Sequence, residues 1–131
     1  MGRVTLDSSI LISMFYEGDV HCDSVRSFMD GKDNSYFIST ISLAETLTHA
    51  SRKGPASLKH MVERISEAMT QVYDVNQEIA VAASMVRAKT GLKIPDAIIS
   101  ATATFAKTQL WTLDRRLAKA HKGAVLIGGA Q

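Results

Sequence analysis

With a single cysteine, Cys22, the chain cannot close an internal disulfide, which suits a reducing cytoplasm. There is no second cysteine, and the four histidines, His21, His49, His60 and His121, share no common spacing, so no zinc-ligand pattern is present. The histidines are expected in surface or structural roles. No apolar run approaches the ~20 residues that cross a bilayer. The apolar stretch of the N-terminus, around Val4-Thr5-Leu6, is far too short for a signal peptide. A cytoplasmic protein with no membrane partner is the expectation. Gly128-Gly129 is too short for a phosphate-cradling loop and precedes no helix. Repeats, linkers and low-complexity segments are missing too. Acids are scarce in one part of the chain. Residues 79–131 hold 8 Lys/Arg but only two acids, Asp96 and Asp114, a balance of +6. Residues 1–78 hold 7 Lys/Arg and 11 Asp/Glu, a balance of −4. Such asymmetry fits a polyanionic partner, and it fits a solvated basic face equally well.

The 131 residues are 46% apolar and 21% charged, which is ordinary globular usage and fits one domain, 1–131. A chain of this size buries about two-thirds of the surface it exposes when unfolded. Apolar and β-branched runs at 3–6, 36–39, 71–75, 110–113 and 124–127 read as five strands. Helical spacing covers 8–16, 21–29, 41–52, 56–70, 77–90, 95–107 and 115–121. Residues 30–35 read as a turn-rich patch, Gly91 as a C-cap, and Pro95 as the opening of a helix. The Ala-rich segment 79–88 suits close helix packing, and Trp111 and the methionines read as core. Strands and helices mostly alternate, so an α/β domain is expected: three layers, α/β/α, around a mostly parallel sheet of about five strands. Open sheets of this kind place ligands beyond the carboxyl ends of their strands.

Four acids fall near such ends. Asp7 and Asp114 each follow a strand and precede a helix, where either would serve as an N-cap. Asp96 sits in a first helical turn, where it complements the helix dipole. Ser42-Leu43-Ala44-Glu45 matches a capping box, with Glu45 reaching back to the start of its helix. Each has this local explanation. Jointly, in a parallel sheet, they share one edge, where four carboxylates repel one another and raise their pKa values. A cation removes that cost, and an all-oxygen set suits Mg2+ or Mn2+. Setting those four aside leaves 15 basic residues against 9 acidic, a surface that attracts a phosphate backbone. Lys93, Arg115 and Arg116, close in sequence to Asp96 and Asp114, are candidates for holding phosphates.

The segments Val4-Thr5-Leu6-Asp7-Ser8-Ser9-Ile10-Leu11, Ser42-Leu43-Ala44-Glu45, Ile94-Pro95-Asp96-Ala97-Ile98-Ile99-Ser100-Ala101-Thr102-Ala103 and Thr112-Leu113-Asp114 resemble, in order and spacing, the motifs of PIN-domain nucleases. At this length the chain looks most like the VapC-type toxins of toxin–antitoxin pairs. The resemblance implies a PIN-like fold and a metal-dependent endoribonuclease. Its acidic ligands would be Asp7, Glu45, Asp96 and Asp114, with Ser8 and Thr112 fixing carboxylates or water behind them. It also implies an RNA substrate, a homodimer, and an antitoxin whose C-terminal segment covers the site. One departure stands out. Many relatives carry a further acid two or three residues after the last Asp, where this chain has Arg116 and Leu117, which speaks against a second tightly held metal.

Other readings remain. An aspartyl phosphotransferase usually needs an acid two residues after its nucleophile, where this chain has Ser9. A receiver domain needs acids before its acceptor Asp, and only Met1 to Leu6 precede Asp7. A PIN-like scaffold that binds without cutting, and a nuclease that processes structured RNA rather than acting as a toxin, are both compatible with the same motifs.

Overall fold

A computed structural model of the chain describes residues 2–128, so Gly129 lies outside the described residues. The alternation read from the sequence becomes β1 (Gly2–Leu6), α1 (Ser8–Phe15), α2 (Cys22–Met29), β2 (Asn34–Ser39), α3 (Thr40–Lys53), α4 (Pro55–Ala68) and β3 (Gln71–Tyr73). It continues with α5 (Gln77–Thr90), α6 (Ile94–Ala106), β4 (Gln109–Thr112), α7 (Arg115–Ala120) and β5 (Val125–Leu126). The strands form one sheet in the order β3-β2-β1-β4-β5, and every pairing is parallel.

Alternation along the strands explains the three layers. Leu6 of β1 pairs with Trp111 of β4, and both belong to a core that includes Ile10, Leu11, Val25, Ile65 and Met69. The next pair, Thr5 with Leu110, faces the other way, and Leu110 packs with Ile79, Ala83, Ile99 and Leu117. Helices α1, α2 and α4 thus cover one face, and α5, α6 and α7 the other. Each fully buried Leu or Ile contributes about 1.5–3 kcal/mol. Two such layers therefore hold the sheet rigidly from both sides.

Local chemistry marks the helix ends. Asp7, Ser39, Asn76 and Asp114 cap α1, α3, α5 and α7 through side-chain oxygens that accept backbone N–H groups. Gly91 ends α5 in the left-handed region at φ 75°, which a side chain would oppose. Three expectations need correcting. Asn34 and Ser35 do not form a turn; they extend β2, because Gly2 and Arg3 supply parallel partners for them. Met85 is not core but 67% exposed on α5. Ser42 and Glu45 do not form a capping box, because β2 ends three residues earlier and Ser39 takes the cap, accepting from Ile41 N at 3.1 Å. Ser42 lies buried inside α3 instead.

Candidate active site

The strand order changes direction at β1, with β2 on one side and β4 on the other. Chains that leave neighbouring strands at such a point run to opposite sides of the sheet and open a crevice at its carboxyl edge. Asp7 leaves β1 directly into α1, and Asp114 leaves β4 into α7. Asp96 stands in the first turn of α6, and Glu45 in the second turn of α3, which follows β2.

Asp7 is the most constrained of the four, at 3% exposed. Its Oδ1 accepts from Ile10 N at 3.2 Å and from Ser9 Oγ, and its Oδ2 accepts from Thr112 Oγ1. Both hydroxyls also accept. Ser9 Oγ takes the N–H of Leu113 at 3.2 Å, and Thr112 Oγ1 takes that of Asp114 at 2.9 Å. Two hydroxyl bridges thus tie the β1–α1 junction to the β4–α7 loop and fix the Asp7 carboxylate. Burial raises the Asp7 pKa, and the bonds from Ser9, Thr112 and Ile10 pull it partly back.

The other acids are held more loosely. Glu45 is exposed, and its Oε1 accepts from Ser8 Oγ at 2.9 Å. Oδ1 of Asp114 accepts from Arg116 N at 2.8 Å and Leu117 N at 3.3 Å. The Asp96 carboxyl is raised first by burial, then by the negative charges of Asp114, Asp7 and Glu45, while Lys93 opposes the shift. Asp96 therefore sits in the shared field of the other three. Lys93 precedes α6, and Arg115 and Arg116 open α7; all three side chains are exposed.

The residues can be tested against a divalent cation. Among the described residues, no three acidic, histidine or cysteine side chains already close on a common point. Asp114 is turned to its helix amides, Glu45 to Ser8, and Asp7 to two hydroxyls. The donor chemistry nevertheless fits: oxygen-only ligands, mutually repelling, around a carboxyl whose neighbours already disfavour its charge. Mg2+ or Mn2+ is the cation class such a set suits.

Sequence reasoning singled out Ser8 and Thr112 and missed Ser9, whose partner Leu113 is 104 residues away. The available signal was a hydroxyl inside the first turn of a helix capped by Asp7, where an Asp oxygen is within reach. His121, expected to be structural or superficial, is half-buried with Nδ1 2.6 Å from Ser100 Oγ, and burial lowers its pKa. A groove of about 740 Å³ runs from Glu45 between α1, α3 and α4, past Tyr16, Ala50, Met61 and Arg64.

A family model described as PIN domain matches residues 4–123. Among solved structures, a toxin–antitoxin complex from Klebsiella pneumoniae is 26% identical, with a TM-score of 0.73 over 93% of this chain and 95% of that one. VapC20 of Mycobacterium tuberculosis, titled a sarcin-ricin loop cleaving toxin, is 19% identical, with a TM-score of 0.74 over 89% of this chain and 94% of that one. FitAcB from Neisseria gonorrhoeae is 18% identical, with a TM-score of 0.72 over 94% and 96%. At those identities the last two show a shared fold. No curated protein matches the chain.

Proposed function

The chain belongs to the PIN-domain family, and from that premise we propose that it is an Mg2+- or Mn2+-dependent endoribonuclease, the toxin of a toxin–antitoxin pair that inhibits translation. The observation that carries this reading is the Asp96 carboxyl, raised by burial and then by the charges of Asp114, Asp7 and Glu45, in the crevice where the strand order reverses.

The proposed roles follow from how each side chain is held. Asp7, Glu45, Asp96 and Asp114 would hold the cation, with Asp7 the most rigid because three hydrogen bonds leave its carboxylate one orientation. When bound, the ion supplies positive charge at the scissile phosphate and lowers the pKa of an attacking water. Ser8 orients Glu45, and Thr112 orients Asp7. Lys93, Arg115 and Arg116, exposed beside Asp96 and Asp114, would hold the RNA backbone by charge. The groove that ends at Glu45 has apolar walls at Ala50 and Met61, which suits an amphipathic segment of an antitoxin. Val81 and Met85, exposed and one turn apart on α5, support pairing of two copies. No helix among the described residues is long and apolar enough to cross a membrane, and a cytoplasmic location is part of the proposal.

The test is direct. Purified protein with Mn2+ or Mg2+ should cut at least one of a panel of single-stranded and looped RNAs. Chelation should stop it, and Asp7→Asn should abolish it while far-UV circular dichroism stays unchanged. A folded protein that leaves every RNA intact refutes the nuclease reading. Expression without a partner should arrest growth; unimpaired growth beside RNA cleavage in vitro would assign the chain to RNA processing instead.

A further inference from the structure

A second cavity, of about 330 Å³, opens beside Asp114 on the α1 side of the crevice. One wall is the site itself, Ser9, Leu113 and Asp114; the other is Ser13 with Asp19 and His21 from the loop between α1 and α2. Its size is at the lower end of small-ligand pockets, about 300–1,000 Å³. Asp19 is not a loose surface acid. Its Oδ2 accepts from the buried Ser13 Oγ at 2.6 Å and from His21 N at 3.0 Å. The loop backbone is pinned as well, by Asp19 N to Tyr16 O at 3.0 Å and Cys22 N to Asp19 O at 3.1 Å. The carboxylate is therefore set in place before any ligand arrives, which lowers the cost of binding.

The chemistry of the walls selects the occupant. No Lys or Arg lines the cavity, and two carboxylates do, so a phosphate would be repelled. A neutral group that donates hydrogen bonds is favoured instead. Ile12 and Leu113 offer apolar surface to a flat ring, and His21 offers an aromatic one. Both described bonds to the Asp19 side chain fall on Oδ2, so Oδ1 is the oxygen to offer a ligand. Single-stranded RNA is read in this way: a base turns out, stacks, and is bonded along its edge. A carboxylate accepts from an exocyclic amino group such as cytosine N4. Uracil has no amino group, and its one ring N–H lies between two carbonyl oxygens that a carboxylate repels.

We propose that this cavity holds a nucleobase next to the scissile phosphate, and that Asp19 makes it a pocket for amino-bearing bases over uracil. The inference rests on RNA being the substrate, and it adds a specificity determinant outside the four acids.

The test separates the pocket from the nuclease. In a randomised RNA pool cut by the wild-type protein and sequenced at the new ends, uracil should be depleted at one position beside the cut. The depletion should be about tenfold, the worth of one hydrogen bond to a charged group. Asp19→Asn keeps an oxygen for Ser13 and His21 N and adds an amide donor that matches a uracil carbonyl, so it should erase or reverse the bias with the melting temperature held. A profile unchanged in Asp19→Asn and Asp19→Ala overturns the proposal. Binding supplies the arm that needs no cleavage. Asp7→Asn protein should bind fluorescent oligo(C) or oligo(A) about tenfold more tightly than oligo(U), and adding Asp19→Asn should remove the difference. Equal affinities, or a difference that survives the double substitution, overturn the pocket even in an active nuclease. Base discrimination in a protein that cuts nothing would sustain the pocket and refute the nuclease.

Discussion

Thr112→Val offers the sharpest test of how the site is held. Thr112 is fully buried, and valine keeps its shape, so no cavity opens. What disappears is one hydroxyl with two tasks: it donates to Asp7 Oδ2 and accepts from Asp114 N at 2.9 Å. A hydrogen bond to a charged group is worth about 1.5–3 kcal/mol and an ordinary one about 0.5–1.5 kcal/mol. The variant should therefore lose about 2–4 kcal/mol, a large share of the ~5–15 kcal/mol that holds a domain together.

The pH dependence tests the cause. Asp7 has a pKa raised above 3.8 by burial, with Thr112 among the groups that restrain the rise. A raised carboxyl is no burden near or below its unfolded value, and it costs stability as pH climbs through the folded value, where the charged form must be kept inside. Without Thr112 the Asp7 pKa rises further, so the penalty grows over a wider range. The difference between variant and wild type should shrink near pH 4 toward the share of the Asp114 amide bond, about 0.5–1.5 kcal/mol, and grow toward its full size as pH rises. Urea denaturation in EDTA, repeated at intervals from pH 4 to pH 8, measures it. At neutral pH the midpoint should fall by about 1–2 M, given slopes of about 2 kcal/mol per M. A loss below about 0.5 kcal/mol, within the range of ordinary surface changes, or one that is flat with pH, would refute the idea that the hydroxyl serves a buried carboxylate.

Asp96→Asn should raise stability in EDTA at neutral pH, because its carboxyl is raised by burial and by three neighbouring carboxylates; the gain should shrink as pH falls toward 3.8, and RNA cleavage should vanish. Ser8→Ala frees Glu45 without opening the core: cleavage should drop about 10–100-fold, with more Mn2+ needed for half-maximal rate, while stability changes by about 0.5 kcal/mol or less. His121 has a pKa lowered from 6.5 by burial, so its side-chain NMR titration should centre below 6.5. Its contribution is complete above 6.5 and is lost as pH falls through the lowered value, a loss that His121→Gln should remove from the acid side of the stability curve.

Much of the fold was legible because parallel strands buried on both faces read as unbroken apolar runs, as in Leu110-Trp111-Thr112, and because Gly91 and Pro95 stand where helix ends require them. Errors arose where a local pattern competed with a distant partner. Asn34 and Ser35 look like turn residues until Gly2 and Arg3 pair with them. Ser42 and Glu45 match a cap by spacing, yet the cap belongs to the residue at which the strand actually ends, Ser39. Asp7 and Asp114 are legible in advance as strand exits, with Ser8 and Thr112 near them, and Asp96 as a helix start; Glu45, a full turn into α3, is picked out by a spacing that does not form a cap. Ser9 offers a local hint, a hydroxyl within reach of Asp7, but its bond to Leu113 and the bond of Asp19 to Ser13 could not be read. Both depend on Leu113 and Ser13 arriving from other elements, and nothing in local spacing announces that.

Asp7 and Asp114 do make the local caps that the sequence offered, and those caps are compatible with the proposed role. An N-cap after a parallel strand is, by construction, a carboxylate at the carboxyl edge of the sheet. Asp114 spends Oδ1 on the amides of Arg116 and Leu117, and both of its described bonds fall on that oxygen. Asp7 caps α1 with Oδ1 and still has Oδ2, which Thr112 holds in one orientation. Capping thus fixes the backbone with one oxygen, Oδ1, in both residues, while Oδ2 of Asp7 goes to Thr112. Glu45 is the contrast. Having no cap to make, it is exposed and steered by Ser8 alone, so its position depends on one hydrogen bond and should be the first of the four to respond to substitution nearby. A site assembled this way is stiff where strands end and adjustable where a helix side chain reaches in. That distribution suits one firmly placed carboxylate and partners that close around a cation when it binds.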